Sequence, residues 1–481
     1  MVAPTFDNGA VDSLFTAPTF AAGLANPAMP IPDPFPGRTP ESTATLRRLL
    51  IESHKRFHVF FNEMRLHNHI AHHLFAAYGI GANAHVLQKA FDNHASYLRP
   101  AYQSPEAITY ENWKNHLGNE DFYNAYLNFF SAEIKNHGVP STLERYVFSH
   151  DANWGQGEPR MMDRFLSGVL HPIIHFAHAP EFGVDGMAVE GLAQTAVHDA
   201  SLKNLLDQSL FTESNNKSRP ESPDRVHSFT ILSRILADDR LKAGAACKEE
   251  TFVRSVEASD NVGAIVREYA SLWTVQEDDN NIRERVEELN WLVALLFGVG
   301  GWKKYTPFRA NFFLAHLVTS CLFLPSVLSI LKLEHQVNLI RAYFANVLIC
   351  FIGEGRPALD ISGFFQSVST DPKPDHDSKS NIKAADENPW YTILGHTIHH
   401  QDEHLIKAVR ALAHSATLYG ARPRGYFSDT ELRGAEEIDG TLFVRTAGLL
   451  MEALHWDYEV TNRVEGIDEG NGWYRAGLGW E

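Results

Sequence analysis

The stretch Thr39-Pro40-Glu41-Ser42-Thr43-Ala44-Thr45-Leu46-Arg47-Arg48-Leu49-Leu50 marks the point where the chain changes character. Thr39 is a side chain suited to cap a helix, and Pro40 follows at the first helical position, where its missing N–H costs nothing. Leu46, Leu50, Phe57 and Phe61 then recur at helical spacing, so a helix is predicted to run into residues 65–81, with Gly79 and Gly81 as its stop. Upstream, Pro4, Pro18, Pro27, Pro30, Pro32, Pro34, Pro36 and Pro40 leave little periodicity, and residues 1–40 read as a proline-rich arm lying on the surface.

Downstream, amphipathic segments cover about 107–133, 160–210, 228–275, 280–299, 308–333, 335–352 and 390–418. Strand alternation is scarce. Two polar stretches, 212–225 and 367–388, read as surface loops, and no internal repeat is visible. The fold class is therefore all-α: a large multi-helical array forming one catalytic domain over residues 41–481, with the arm over 1–40.

Of the 481 residues 44% are hydrophobic and 21% charged, enough to bury a large core. With 42 basic and 59 acidic residues the formal charge is −17, which opposes nucleic acid and anionic membranes and suits a small neutral or apolar substrate. Cys247, Cys321 and Cys350 are too few and too apolar in setting for a disulfide framework or a thiolate metal site. Residues 1–20 lack a basic segment followed by an apolar one, and no uninterrupted apolar run reaches bilayer length, so the expectation is a cytoplasmic protein without a membrane partner. Oligomeric state leaves no signal in this sequence.

Twenty-five histidines are the anomaly. In Leu66-His67-Asn68-His69-Ile70-Ala71-His72-His73, continuous helix would put positions 66, 69 and 73 on one face, turning His69 and His73 inward and His67 and His72 away. A satisfied core histidine is the commoner reason for such a residue. In Gly168-Val169-Leu170-His171-Pro172-Ile173-Ile174-His175-Phe176-Ala177-His178, the proline places His171 at a helix boundary, as a cap or as an aimed side chain. His175 and His178 follow on that helix. His316 lies in Phe312-Phe313-Leu314-Ala315-His316-Leu317-Val318-Thr319, where a buried imidazole needs a hydrogen bond or a metal.

The sharpest cluster is His399-His400-Gln401-Asp402-Glu403-His404-Leu405-Ile406-Lys407. His404 and Lys407 are three apart and share a helical face that Ala411 continues. A core-facing lysine favours its neutral amine, which can react with carbon dioxide to give an anionic carbamate; the ordinary alternative is a lysine that reaches Glu403. His400-Gln401-Asp402 also matches half of a two-histidine, one-carboxylate iron site, a triad commonly carried by β-sandwich folds. Two glycine-rich stretches fail as dinucleotide sites. A helix precedes Gly79-Ile80-Gly81-Ala82-Asn83-Ala84 where a strand is required, and Pro357 interrupts Gly353-Glu354-Gly355-Arg356-Pro357-Ala358, so the sequence argues against NADPH or flavin.

Taken in order, the Asn68-His69 helix, the turn of residues 168–171, the His316-Leu317-Val318-Thr319 segment and the Asp402-Glu403-His404-x-x-Lys407 helix resemble the questin oxidase-like family, as do residues 188–196 with Glu190 and residues 473–479. The resemblance spans about residues 45–480. It implies a fungal oxygenase of aromatic polyketide secondary metabolism that opens anthraquinone rings. It also implies one non-haem Fe(II) held by His69, His171, His316 and His404 together with a carboxylated Lys407, with a small aromatic polyketide and dioxygen as substrates.

Four neutral imidazoles leave the ferrous charge nearly intact, and one carbamate lowers it by a unit, which suits electron donation to dioxygen. His73, His175, His178, Phe176, Trp302 and Trp390 are the candidates for the substrate pocket. Two other readings compete: an NADPH- or flavin-dependent Baeyer-Villiger monooxygenase on the same substrate class, and a non-catalytic polyketide-binding protein.

Overall fold

A computed structural model describes residue 4 and residues 8–20, 29–212, 226–374, 388–457 and 472–480. The polar stretch 213–225 and most of 367–388 lie outside the described residues. The regular structure of the described residues is helical, with three isolated β-bridges and no strand. The longer helices, numbered in chain order, are α1 (Pro40–Arg56), α2 (Ile70–Gly79), α3 (Ala84–Ala95), α4 (Tyr123–Leu143), α5 (His171–Phe182), α6 (Asp185–Val197), α7 (Ser228–Ala237), α8 (Arg254–Ser271), α9 (Asp279–Gly298), α10 (Phe312–Cys321), α11 (Leu333–Gly353), α12 (Glu403–Tyr419) and α13 (Leu442–Ala453).

The start of α1 follows the predicted chemistry. Thr39 Oγ1 accepts from Ser42 N at 3.1 Å and Ser42 Oγ accepts from Thr39 N at 2.9 Å, a reciprocal cap that satisfies two otherwise orphaned donors. The predicted continuation into residues 65–81 does not occur. The run Phe57-His58-Val59-Phe60-Phe61 is aromatic and β-branched, and its backbone turns extended at Phe57. Its polar groups find side-chain and distant backbone partners instead: Phe60 N donates to His58 Nδ1, Arg99 Nε donates to Phe60 O, and Phe61 N donates to Leu66 O. Helix resumes only at Ile70 and stops at Gly79 as predicted.

Two further expectations are corrected. Residues 107–122 are mostly turns, so helix in that region begins at Tyr123 after a short Glu120–Phe122 turn. Within the arm, Asn8–Leu14 is helical, and Val11, Leu14 and Phe15 are buried, Phe15 edge-on to His54.

The buried apolar side chains of the described residues include most of those of α11. This helix is long and apolar enough on average to cross a membrane, although Arg341 and Asn346 interrupt its apolar run, and it is almost wholly buried inside the protein. The packing that matters for the site joins α12 to α2, α10 and α13, and α5 to α6. Arg410 of α12 donates to Glu181 of α5; both are buried, so this charged hydrogen bond fixes the register of the helices that carry His404 and His171.

Candidate metal centre

His69, His171, His316 and His404 come from four separate places in the chain and meet in the interior, with ring nitrogens all within 4.8 Å of one another. Each is aimed by a different local device. His69 sits at the position before α2, where the non-helical 57–68 segment turns into helix. His171 opens α5 after Gly168, Val169 and Leu170, all left-handed at φ 55, 54 and 64. Such a turn costs about 1–3 kcal/mol for each non-glycine residue in it. Its effect is to bring the Gly168 carbonyl onto His171 Nδ1 at 2.6 Å, which places the ring proton there and leaves Nε2 as a lone pair.

His316 is on α10, whose first turn is capped by Asn311 Oδ1 accepting from Leu314 N at 2.9 Å. Asn311 in turn donates to Glu354, which is held by Arg254 at 2.8 Å, both charges buried. His316 Nδ1–H donates to Phe312 O at 2.7 Å, and Nε2, buried, has no hydrogen-bond partner. His404 lies in the first turn of α12, where Asp402 Oδ1 accepts from the N–H groups of His404 and Leu405, both at 2.9 Å. Asp402 Oδ2 accepts from the Trp473 indole. That carboxylate is a helix cap, which gives the His400-Gln401-Asp402 tripeptide a structural role.

Lys407 follows one turn later. Its amine is buried and, like His404 Nε2, lacks a hydrogen-bond partner; it does not reach Glu403. Burial pushes this amine down to about 8, with Glu403 and Asp402 acting in the opposite direction. Burial also drives the four imidazoles far below their usual range. Next in weight comes the Lys407 charge for His69, His316 and His404, and the neighbouring His67 for His171. The imidazoles are therefore neutral ligands with available lone pairs.

Buried polar atoms without partners cost about 1–3 kcal/mol each, so His316 Nε2, His404 Nε2 and Lys407 Nζ together are an unpaid cost of the fold unless something binds between them. Opposite nitrogens on an ion with bonds of about 2.1 Å stand about 4.2 Å apart, so the four rings need only a small contraction to share one cation. The donor set fits a transition-metal ion. Glu403 backs two of the rings, with Oε1 at 3.4 Å from His404 Nδ1 and 3.9 Å from His69 Nδ1.

A cavity of about 430 Å³ opens on the cluster, with His69, His171 and His404 in its wall. Its apolar surface comes from Phe61, Tyr97, Phe252, Phe312 and Phe313. Phe312 lies against His316 and His404 and carries the Arg475 guanidinium 4.7 Å over its ring. His67 stacks on His171 at 3.9 Å and stands 2.6 Å from His198 across their Nε2 atoms.

His67 and His72 thus point inward, against the expectation, because residues 65–69 are not helical and α2 is buried all round. His73, His175, His178, Phe176, Trp302 and Trp390 are not in the cavity wall. His73 bonds His94, His175 bonds Glu190, His178 stacks on Phe75, Phe176 packs on Phe165, Trp302 meets Phe364 edge-on and Trp390 leans on the core. Several of the wall residues that sequence reading missed, among them His67, Tyr97, His198, Phe252 and Arg475, lie outside the longer helices, in segments that only the tertiary fold brings together.

The chain is similar to known proteins over most of its length. Residues 66–412 match the family profile described as questin oxidase-like. A Baeyer-Villiger monooxygenase of Aspergillus aculeatus, AacuH, is 25% identical over 478 residues, covering 92% of this chain and 92% of its own. Questin oxidases of Aspergillus fumigatus and Aspergillus terreus are 26% and 29% identical, covering 57% of this chain and 62% and 60% of theirs. With relatives named as oxidases and monooxygenases over nearly its whole length, the chain is an oxidoreductase. The matched span takes in all four clustered histidines and Lys407, and the chain belongs to the questin oxidase-like family.

Proposed function

We propose that the chain is a non-haem iron oxygenase that cleaves a carbon–carbon bond of an anthraquinone or related aromatic polyketide in fungal secondary metabolism, its iron held by His69, His171, His316, His404 and a carboxylated Lys407. The observation that carries this reading is the convergence of neutral imidazoles on one point beside a buried amine without a partner. An amine depressed to about 8 has a substantial neutral fraction near neutral pH, the form that adds carbon dioxide, and the product supplies the anionic oxygen that the four imidazoles lack. A ferrous ion held there would supply the electrons that make dioxygen reactive toward an electron-rich aromatic carbon.

The remaining work belongs to the protein. A cavity of about 430 Å³ lies in the range of small-molecule sites, and its phenylalanines give a flat polycyclic substrate faces to stack on. Arg475, over Phe312, is placed to draw an oxyanion of that substrate toward the cluster.

Anaerobic reconstitution with ferrous iron and bicarbonate tests the proposal. It predicts about one iron per chain, and oxygen uptake with an anthraquinone-derived hydroquinone that disappears in Lys407→Ala. Less iron than that, or full activity in Lys407→Ala, defeats it. A second reading follows from the names of relatives such as AacuH: a Baeyer-Villiger monooxygenase on the same substrate class. Flavin absorbance in the purified chain, or NADPH-dependent turnover without iron, would select that reading.

A further inference from the structure

Two histidines of the cavity wall, His67 and His198, stand outside the metal cluster. They come from the non-helical segment before α2 and from the end of α6, and their Nε2 atoms are 2.6 Å apart. Phe60, fully buried, meets both rings edge-on, with centroids 5.4 Å from His67 and 5.3 Å from His198. A face of His67 lies on the His171 ring at 3.9 Å.

The backbone at His198 is pinned by two guanidinium groups: Arg65 donates to Val197 O and Arg164 donates to His198 O. The His198 ring lies against Gly168, where a Cβ would stand 2.3 Å from a ring carbon. The left-handed turn that aims His171 therefore also makes room for His198. Both rings are held in place by the surrounding chain before any ligand enters.

Counting protons decides what the pair shows to the cavity. Burial keeps both imidazoles neutral, with the Arg65 and Arg164 charges adding to it at His198. A neutral ring carries one N–H. In the contact between the two Nε2 atoms one ring donates, and its Nδ1 is a bare lone pair. The other ring accepts, and its proton sits on Nδ1. Whichever ring donates, the pair retains one donor and one acceptor. Neither Nδ1 has a hydrogen-bond partner among the described residues, and neither is sealed from solvent. Both are reached through the cavity whose wall the rings form.

We propose that His67 and His198 orient the substrate by gripping a hydroxyl of the planar aromatic beside the metal cluster, an inference that rests on the oxygenase reading above. The hydroxyl donates to the bare Nδ1, and the Nδ1–H of the other ring donates to that oxygen or to one next to it. No proton changes hands. Because His67 lies on His171, an oxygen held by the pair brings the ring that bears it alongside a metal ligand. Other polar groups of the wall have different work: Asp402 caps α12 and accepts from Trp473, and Asp199 pairs with Arg65 at 2.9 Å. The substrate class follows: a planar aromatic with at least one free hydroxyl, not a fully alkylated one.

The test compares 2-hydroxyanthraquinone with anthraquinone, which share a skeleton and differ by that hydroxyl. Their binding to the full chain is measured by calorimetry without oxygen, with and without ferrous iron, at a pH where the free hydroxyl is neutral. Wild type is expected to bind the hydroxylated ligand about tenfold or more tightly, because the other leaves polar atoms of the site unpaired. His198→Phe fills the place of the ring without its nitrogens, and His198→Leu is a second, smaller variant. Both are expected to bring the two affinities within about twofold of each other, with anthraquinone binding and melting temperature little changed. Equal binding of the two ligands by wild type overturns the proposal, as does wild-type discrimination in either folded variant. Variants that weaken both ligands equally would show that His198 only shapes the cavity, which overturns it too. The comparison needs no turnover, so a chain that discriminates between the ligands yet fails to bind iron contradicts the iron reading alone.

Discussion

Replacing Lys407 by methionine keeps the aliphatic length of the side chain and removes its buried amine, and its effect should reverse sign between the metal-free and the loaded protein. In the metal-free chain the amine is buried without a partner and its pKa falls from 10.5 to about 8. That shift corresponds to a folding penalty of about 3 kcal/mol. The unfolded chain holds the proton up to about pH 10.5, whereas the folded one releases it near 8. The penalty is therefore complete below about pH 8 and fades as the pH rises toward 10.5.

Metal-free Lys407→Met is accordingly expected to be more stable than metal-free wild type by up to about 3 kcal/mol near pH 7, and by little at pH 10.5. Ferrous iron with bicarbonate should then stabilise wild type through binding to the folded state alone and leave the variant nearly unmoved. Urea denaturation at both pH values, with and without iron, reads all four arms. A metal-free variant less stable than wild type near pH 7, or a gap of the same size at both pH values, would show that Lys407 is an ordinary satisfied core residue and refute the reasoning.

Other perturbations follow from the supports of the site. Arg254→Ala leaves Glu354 buried without its cation, which should cost about 3–5 kcal/mol in chemical denaturation and loosen the Asn311 cap that holds the His316 helix, weakening iron binding in calorimetry. Gly168→Ala places a methyl 2.3 Å from the His198 ring at a residue with φ 55, so His171 should be displaced and iron content should fall while helical circular dichroism is retained. Burial alone would raise the Glu190 carboxyl, but hydrogen bonds from His175 and His54 outweigh it and hold the group down at about 2. The resulting stability, about 3 kcal/mol, is present above pH 4.5 and is lost as the pH falls toward 2, so the melting-temperature gap between wild type and Glu190→Gln should shrink over that window.

Much of this fold could be read from helical spacing and caps, and the departures have identifiable causes. Thr39, Pro40 and Gly79 bound their helices as predicted, because caps and stops act within a few residues of sequence. The break at Phe57 went unseen because Phe57 and Phe61 fit the helical period while the residues between them prefer extended backbone and draw on Arg99, far along the chain. That single break also reversed the predicted facing of His67.

His316 and Lys407 were legible through a physical conflict, a polar group in an apolar run and an amine on a buried face, and the structure retains that conflict as buried atoms without partners. Apart from His69, His171 and His404, the cavity wall was not legible. His198, Phe252 and Arg475 lie far apart in sequence, in segments with no periodicity, and the aromatic residues chosen from the sequence alone pack in the core away from the cluster.

The most direct test of the central claim is an iron K-edge X-ray absorption spectrum of the chain loaded with ferrous iron in bicarbonate, compared with Lys407→Met prepared identically. The account predicts four imidazole nitrogens plus at least one oxygen scatterer in wild type, with that oxygen contribution diminished and iron retention sharply reduced in the variant. Identical spectra and identical iron retention in the two proteins would contradict it.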